Sequence, residues 1–386
     1  MSSRDGSTPM HDGPNSMHDG PTPQFDDLAD LLDRLVEQGQ IGGWVVGVAD
    51  DHGRSVRAGG TRSPDGQPMR EDTHFALSSN TKPIGGALTL RLIELGVITL
   101  DEPVDPWLPE LAEPRVLVSP EADLTATVPA DRPITVRHLL TMTPGFGWTS
   151  EPGPLAEAIA EQQIGPGPWG PPMGPDEFMA RLGDLPLANQ PGTAWRYHTS
   201  TEALAVLLAR ATGSTVADLL DEHLLGPLDM VDTGFVGDPD RLATPLAPSD
   251  DGGLTPFAAP PGLWVDPPTF PSLAAGLVST VPDQLTFLRS LVGGPAALSP
   301  QTLHLMRTDA LTDESRTTAT GLIEDGSGWG LHVEIRPSGA IGWAGGLGTI
   351  GYADPRTGRA AFLATQVTVD APGTITAFDA FWSLLA

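Results

Sequence analysis

Cysteine is absent from this chain of 386 residues. That excludes a disulfide framework, a thiolate zinc site and a cysteine nucleophile. Lysine is almost absent: Lys82 is the single one among 21 basic residues, and the others are arginines. Positive charge is scarce altogether. Asp and Glu number 49 and the formal net charge is −28, so the surface repels nucleic acid and anionic membranes. No uncharged apolar run is long enough to span a bilayer. Residues 1–23 are polar and rich in Gly, Pro, Ser and Asp, without the apolar stretch of a signal peptide. They contain Met10-His11-Asp12-Gly13-Pro14 and again Met17-His18-Asp19-Gly20-Pro21. Two His-Asp pairs could hold a metal weakly, but the composition of the segment assigns it to a disordered tail. The expectation is a cytoplasmic protein with no nucleic-acid or membrane partner.

What is present is a large globular chain. Hydrophobic residues make up 39% and charged residues 18%, enough for a sizeable core and more than one domain. Residues 25–39 place Phe25, Leu28, Leu31, Leu32, Leu35 and Val36 on one helix face, and Gly39 ends the helix. Strands at 44–49 and 54–58 flank the turn Asp50-Asp51-His52-Gly53. A helix runs from Ser79 to about Leu95, with Pro83 in its first turn, where a missing N–H does no harm. From about 100 to 270 the chain is rich in Pro and Gly, with short helices at 136–142, 175–182, 201–211 and 216–225, and 245–272 reads as loop. Further on come a helix at 282–292, an antiparallel run at 330–335, 340–344, 349–353 and 360–366, and a closing helix at 374–385. Helix and hairpin at one end, strands and helix at the other, predict a sandwich of 24–98 with 271–386, split by a mainly helical insertion, 99–270.

Three blocks carry candidate chemistry. In Ser79-Asn80-Thr81-Lys82, a serine and a lysine three residues apart share a helix face, as a nucleophile and its deprotonator would. Arginine holds its proton at any working pH, whereas a buried lysine can lose it. A solvated lysine at a helix start explains the same four residues. Tyr197, one of two tyrosines, lies in Trp195-Arg196-Tyr197-His198-Thr199. A phenol beside a lysine can shuttle a proton, and a half-buried structural aromatic is the alternative. Gly342-Trp343-Ala344-Gly345-Gly346-Leu347-Gly348-Thr349 lets a substrate approach the backbone closely, or is a glycine-bent turn. No Gly-x-Ser-x-Gly occurs, so an α/β-hydrolase elbow has no seat here. His198 is the histidine a Ser-His-Asp triad would have to use.

Taken in order, these blocks resemble the serine β-lactamase and penicillin-binding-protein superfamily, class C branch, and most closely the family VIII carboxylesterases. The likeness covers roughly 25–386. Phe75-Ala76-Leu77-Ser78-Ser79-Asn80-Thr81-Lys82-Pro83 is similar to the nucleophile block, and Leu100-Asp101-Glu102-Pro103-Val104 with Trp107-Leu108-Pro109 to the segment after it. Ile134-Thr135-Val136-Arg137-His138-Leu139-Leu140-Thr141-Met142-Thr143-Pro144-Gly145, Ala274-Ala275-Gly276-Leu277-Val278-Ser279-Thr280 and Gly328-Trp329-Gly330-Leu331 add further matches. The resemblance implies an α/β (α+β) fold, a β-lactamase-like antiparallel sheet flanked by helices. It implies Ser79 as nucleophile, Lys82 as general base, Tyr197 as acid/base partner, and the N–H groups of Ser79 and Gly346 as oxyanion hole. It implies no metal and no organic cofactor.

Two positions depart from the pattern. Thr199 stands where β-lactamases and peptidases often have an Asn that helps hold the lysine. Trp343 stands where β-lactamases have a cation for the substrate carboxylate, which an indole cannot pair. Both favour neutral small-molecule esters. The expected activity is therefore a serine hydrolase acting through an acyl-enzyme on short to medium acyl esters. The rival readings are a β-lactamase, DD-peptidase or amide hydrolase, and a non-catalytic penicillin-binding-like sensor. Phe146, Trp148, Trp264, Trp343 and Thr199 are the candidate substrate contacts, each of the aromatics equally readable as core. Oligomeric state is left open.

Overall fold

The computed structural model describes residues 23–149, 152–295 and 297–385. The expected tail lies outside them apart from Pro23, and so do both His-Asp repeats. The helices that shape the site are α1 (Pro23–Glu37), α2 (Thr81–Glu94), α3 (Thr199–Thr212), α4 (Val281–Ser290) and α5 (Pro372–Phe381). In α1 the helical recurrence of Phe25, Leu28, Leu32 and Leu35 is the buried stripe, and Gly39, at φ +69°, reverses the chain beyond it.

β1 (Gly43–Asp50) and β2 (Gly53–Gly60) form the expected hairpin. Asp50 pairs with Gly53, and the Asp50 carboxylate accepts a hydrogen bond from the His52 N–H at 2.9 Å. The remaining strands of this sheet are β3 (Gly328–Trp329), β4 (Glu334–Ile335), β5 (Ile341–Gly345), β6 (Thr349–Ala353) and β7 (Ala360–Ala364). The order is β2-β1-β7-β6-β5-β4-β3, antiparallel throughout, so the two ends of the chain meet where Val45 pairs with Ala364.

Neighbouring residues of a strand point to opposite faces, yet Val45 and Val46 are both fully buried. Both faces are covered. Trp44, Val46, Ile350 and Leu363 pack under α1 and α5. Val45, Phe362 and Ala364 face the larger core, with Leu285 and Leu288 of α4. Gly47 admits that helix, since a Cβ there would lie 2.7 Å from Leu285 Cδ1.

Several boundaries differ from the sequence-based expectation, for physical reasons. The strand expected at 330–335 is broken. The Leu331 N–H donates to Met306 O at 3.1 Å and the His332 N–H to Leu140 O at 3.1 Å, so this segment bonds to helical neighbours instead of the sheet. A Cβ at Gly330 would lie 2.1 Å from Met306 O, so only glycine allows that approach. The helix expected at 216–225 changes at Asp221 from α (Val216–Leu220) to a π turn (Asp221–Leu225). Within 245–272, Leu246–Pro248 and Leu254–Pro256 form a small hairpin. Helices at Pro154–Glu161, Pro300–Met306 and Asp313–Arg316, which the sequence does not predict, lack the long apolar stripe that marks a helix. Among the described residues no single helix is long and apolar enough to cross a membrane.

Candidate active site

Ser79 sits on a tight turn that three elements clamp. Phe75–Ala76 pairs with Val278–Ser279, and the Leu77 N–H donates to Leu277 O at 2.8 Å. Ser78 then takes φ +47°, a left-handed conformation costly for a residue with a Cβ. Ser78–Asn80 forms a single 3₁₀ turn that leads into α2. Thr349 Oγ1 of β6 donates to Leu77 O at 2.9 Å and accepts from Asn80 Nδ2 at 2.9 Å. Gly345 makes this closeness possible, because a Cβ there would be 2.2 Å from Leu77 O. Just past it, a Cβ at Gly346 would sit 3.6 Å from Ser78 Oγ, so the Gly346 backbone lies against the turn that carries Ser79.

Lys82 follows one helical turn later and is fully buried. Its Nζ is 3.0 Å from Ser79 Oγ, donates to Ala274 O at 2.8 Å and lies 3.2 Å from His198 Nδ1. It also stands 4.5 Å from the centroid of the Tyr197 ring. Burial disfavours the ammonium and lowers its pKa to about 7, although the Glu202 carboxylate pulls the other way.

Tyr197 enters from a loop tied to 142–148. The Arg196 N–H donates to Met142 O at 2.7 Å, and the Trp148 N–H to Tyr197 O at 2.9 Å. Burial pushes the Tyr197 phenol up to about 12, with hydrogen bonding from Ser79 and Trp343 opposing only in part. Trp343 does more than supply apolar area: its Nε1–H donates to Tyr197 Oη at 2.6 Å. A cation in that place would favour the tyrosinate, whereas an uncharged indole donor leaves the phenol protonated. Trp195 stacks on Tyr197 at 5.5 Å and Trp329 meets Trp343 edge-on at 4.9 Å, so an aromatic cluster holds both rings.

The other sequence-derived candidates are less unified. Trp148 is 38% exposed at the rim of the Tyr197 loop. Trp264 is buried against Ala76, Val278 and Leu347, behind the strand that leads to Ser79. Phe146 and Thr199 line a small apolar cavity with Leu155, Ile159, Ile164 and Leu182, apart from Ser79 and Lys82. The contact to Lys82 comes not from Thr199 but from the residue before it, His198. The ring nitrogens of His198 turn to Lys82 and, at 3.6 Å, to Glu202 Oε1, so the triad role has no geometric support. Glu202 carries no local signal in the sequence, since an i,i+4 His–Glu pair is the ordinary pattern of a solvated helix face; here both residues are buried.

The lowered pKa of Lys82 has a stability signature. Between the folded value of about 7 and the ordinary lysine value of 10.5, the unfolded chain binds a proton that the native chain does not, so this residue makes stability rise with pH across that window. Urea melts of the wild type and Lys82→Met should therefore show the wild type gaining about 2 kcal/mol relative to the variant between about pH 7 and about pH 9. A constant difference would mean that Lys82 is charged throughout.

A family model described as Beta-lactamase matches residues 28–380. Protein Rv1367c of Mycobacterium tuberculosis (strain ATCC 25618 / H37Rv) is 36% identical over 315 residues, 75% of this chain and 76% of its own. Esterase EstB of Burkholderia gladioli is 31% identical over 355 residues, 82% of this chain and 84% of its own. Among solved structures, EstCE1, described as a hydrolase with promiscuous acyltransferase activity, superposes with a TM-score of 0.78 at 24% identity, over 93% of this chain and 98% of that one.

Proposed function

The chain belongs to the Beta-lactamase family and is a serine hydrolase, and we propose that it is a carboxylesterase that cleaves short to medium acyl esters through an acyl-enzyme on Ser79. The observation that carries this reading is the pairing of Ser79 Oγ with the buried amine of Lys82 at 3.0 Å. That amine is half neutral at pH near 7 and increasingly neutral above it, and in its neutral form takes the Ser79 proton as the oxygen attacks the ester carbonyl. The N–H groups of Ser79 and Gly346 receive the developing oxyanion. The protonated Tyr197 phenol gives its proton to the departing alkoxide and regains one from the Lys82 ammonium. Water then attacks the acyl carbonyl and Ser79 leaves, with the proton transfers run in reverse.

The surroundings of Trp343 support a neutral substrate. Met142, Trp195, Ala319, Ile323 and Trp329 pack around it, an environment suited to an uncharged acyl or alcohol group. A β-lactam brings a carboxylate, and desolvating an unpaired charge costs several kcal/mol. We therefore expect kcat/KM for a p-nitrophenyl butyrate to exceed that for nitrocefin by about three orders of magnitude or more, since about 4 kcal/mol of differential binding corresponds to that ratio. Comparable efficiencies on the two would instead support a β-lactamase or amide-hydrolase reading. Trp343→Lys, which restores a cationic donor beside Tyr197, should narrow the ratio by raising β-lactam turnover and lowering ester turnover.

A further inference from the structure

Resting on Lys82 as the base, we propose that His198 and Glu202 are positioning residues that aim the lone pair of Lys82 at Ser79 and hold a counter-charge behind it. The observation is a ring of buried polar groups, hydrogen-bonded except at the 3.6 Å approach of His198 to Glu202. Lys82 Nζ donates to Ala274 O at 2.8 Å and meets His198 Nδ1 at 3.2 Å. His198 Nε2 lies 3.6 Å from Glu202 Oε1, which accepts from Ser272 Oγ at 2.6 Å. Ser272 Oγ in turn accepts from the N–H groups of Ala274, at 3.2 Å, and Ala275, at 3.0 Å. That fixes the turn presenting Ala274 O, and the ring closes on Lys82. His198, Glu202, Ser272 and Ala274 are all buried.

The ring decides what Lys82 can do. A neutral amine has two hydrogens and one lone pair. Ala274 O accepts and cannot donate. The Glu202 carboxylate facing Nε2 keeps the imidazole proton on that nitrogen, so Nδ1 is also an acceptor. Both amine hydrogens are then taken, and the remaining tetrahedral direction, toward Ser79 Oγ, holds the lone pair. With the other tautomer, Nδ1–H would consume the lone pair and Lys82 would donate to Ser79, which is useless for deprotonation. When Lys82 takes the Ser79 proton, the new ammonium keeps both acceptors, and the Glu202 carboxylate balances its charge through the neutral imidazole. Burial, reinforced by Lys82, keeps His198 neutral by pulling its pKa down to about 4.

The backbone is bent to make this contact. His198 has φ 80° and ψ −68°, and the Thr199 N–H donates to Tyr197 O at 3.1 Å around it. This is a γ-turn of the rare, strained kind, in a residue with a Cβ, between the Tyr197 side chain and the start of α3. Such strain persists where surrounding structure enforces it and clusters at functional sites. The groups facing Lys82 are Ser79, Tyr197, His198 and the Glu202 carboxylate, with His332, itself neutral, among its electrostatic neighbours.

The test is the pH dependence of kcat/KM for one p-nitrophenyl ester, measured on the full chain as wild type, Glu202→Gln, His198→Gly and His198→Asn, with thermal unfolding of each. Because the Glu202 charge raises the pKa of Lys82, Glu202→Gln should shift the acid limb to lower pH, which a merely structural carboxylate would not do. His198→Gly relieves the positive φ, so its unfolding midpoint should equal or exceed that of the wild type while its plateau falls about a hundredfold, within the range of general-base catalysis. His198→Asn offers an amide oxygen to Lys82 and tolerates positive φ, so it should recover activity to within about tenfold of the wild type. An unmoved acid limb in Glu202→Gln, or a His198→Gly plateau within about threefold of the wild type, overturns the proposal. Lys82→Arg, run alongside, separates the two levels: an active Lys82→Arg removes the base itself, whereas an inactive one with an unmoved limb removes only the ring.

Discussion

Ser79→Ala is expected to lower kcat/KM for a p-nitrophenyl ester by at least about a thousandfold, as loss of a covalent nucleophile does, with thermal unfolding shifted by no more than a few degrees. The substitution deletes one oxygen from a turn held by other bonds. Leu77 stays anchored to Leu277 and Thr349, and Asn80 to Thr349, so the backbone has no reason to move. What is lost is the atom 3.0 Å from Lys82 Nζ. The N–H groups proposed as oxyanion donors remain, and they would account for any residual rate above that in water. A variant retaining more than a tenth of the wild-type rate would show that another group attacks the ester.

Lys82→Arg should be nearly as damaging as Lys82→Ala, each costing between about a hundredfold and ten-thousandfold in kcat/KM, the span of general-base catalysis. Arginine preserves charge but cannot release its proton at working pH. If Lys82 acted only as a cation, arginine would rescue much of the rate. The wild-type kcat/KM should rise with pH through about 7, the value to which burial brings Lys82, because the free enzyme must hold that amine neutral. The residual activity of Lys82→Ala should lack this limb. A profile unchanged in Lys82→Ala would assign the ionisation to another residue.

These two residues were legible in the sequence for a compositional reason: a chain that otherwise uses arginine has one lysine, three positions after a serine. The hairpin at Gly43–Gly60, the stripe of α1 and the strand Thr349–Ala353 were legible because periodicity and turn chemistry are local. The bond from Trp343 to Tyr197 was not, because it joins side chains 146 positions apart, and the residue type suggested only apolar surface. The burial of His198 and Glu202 beside Lys82 was not legible either. Their spacing is that of an exposed helical pair, and only tertiary packing removes them from water and brings Ser272 and Ala274 to them. The break in the strand expected at 330–335 likewise depends on Met306 and Leu140, residues that no local pattern connects to it.

The most direct test of the account is to quench turnover of p-nitrophenyl acetate in acid and locate the acyl group by mass spectrometry. Trypsin does not cut before proline, so the Lys82-Pro83 bond survives and Ser79 travels in the peptide 71–91 between Arg70 and Arg91. The account predicts one acetyl increment on that peptide, assigned by fragmentation to Ser79 and not to Ser78, and absent from Ser79→Ala. An increment on another residue, or burst-phase release of p-nitrophenol from the wild type with peptide 71–91 unmodified, would contradict it.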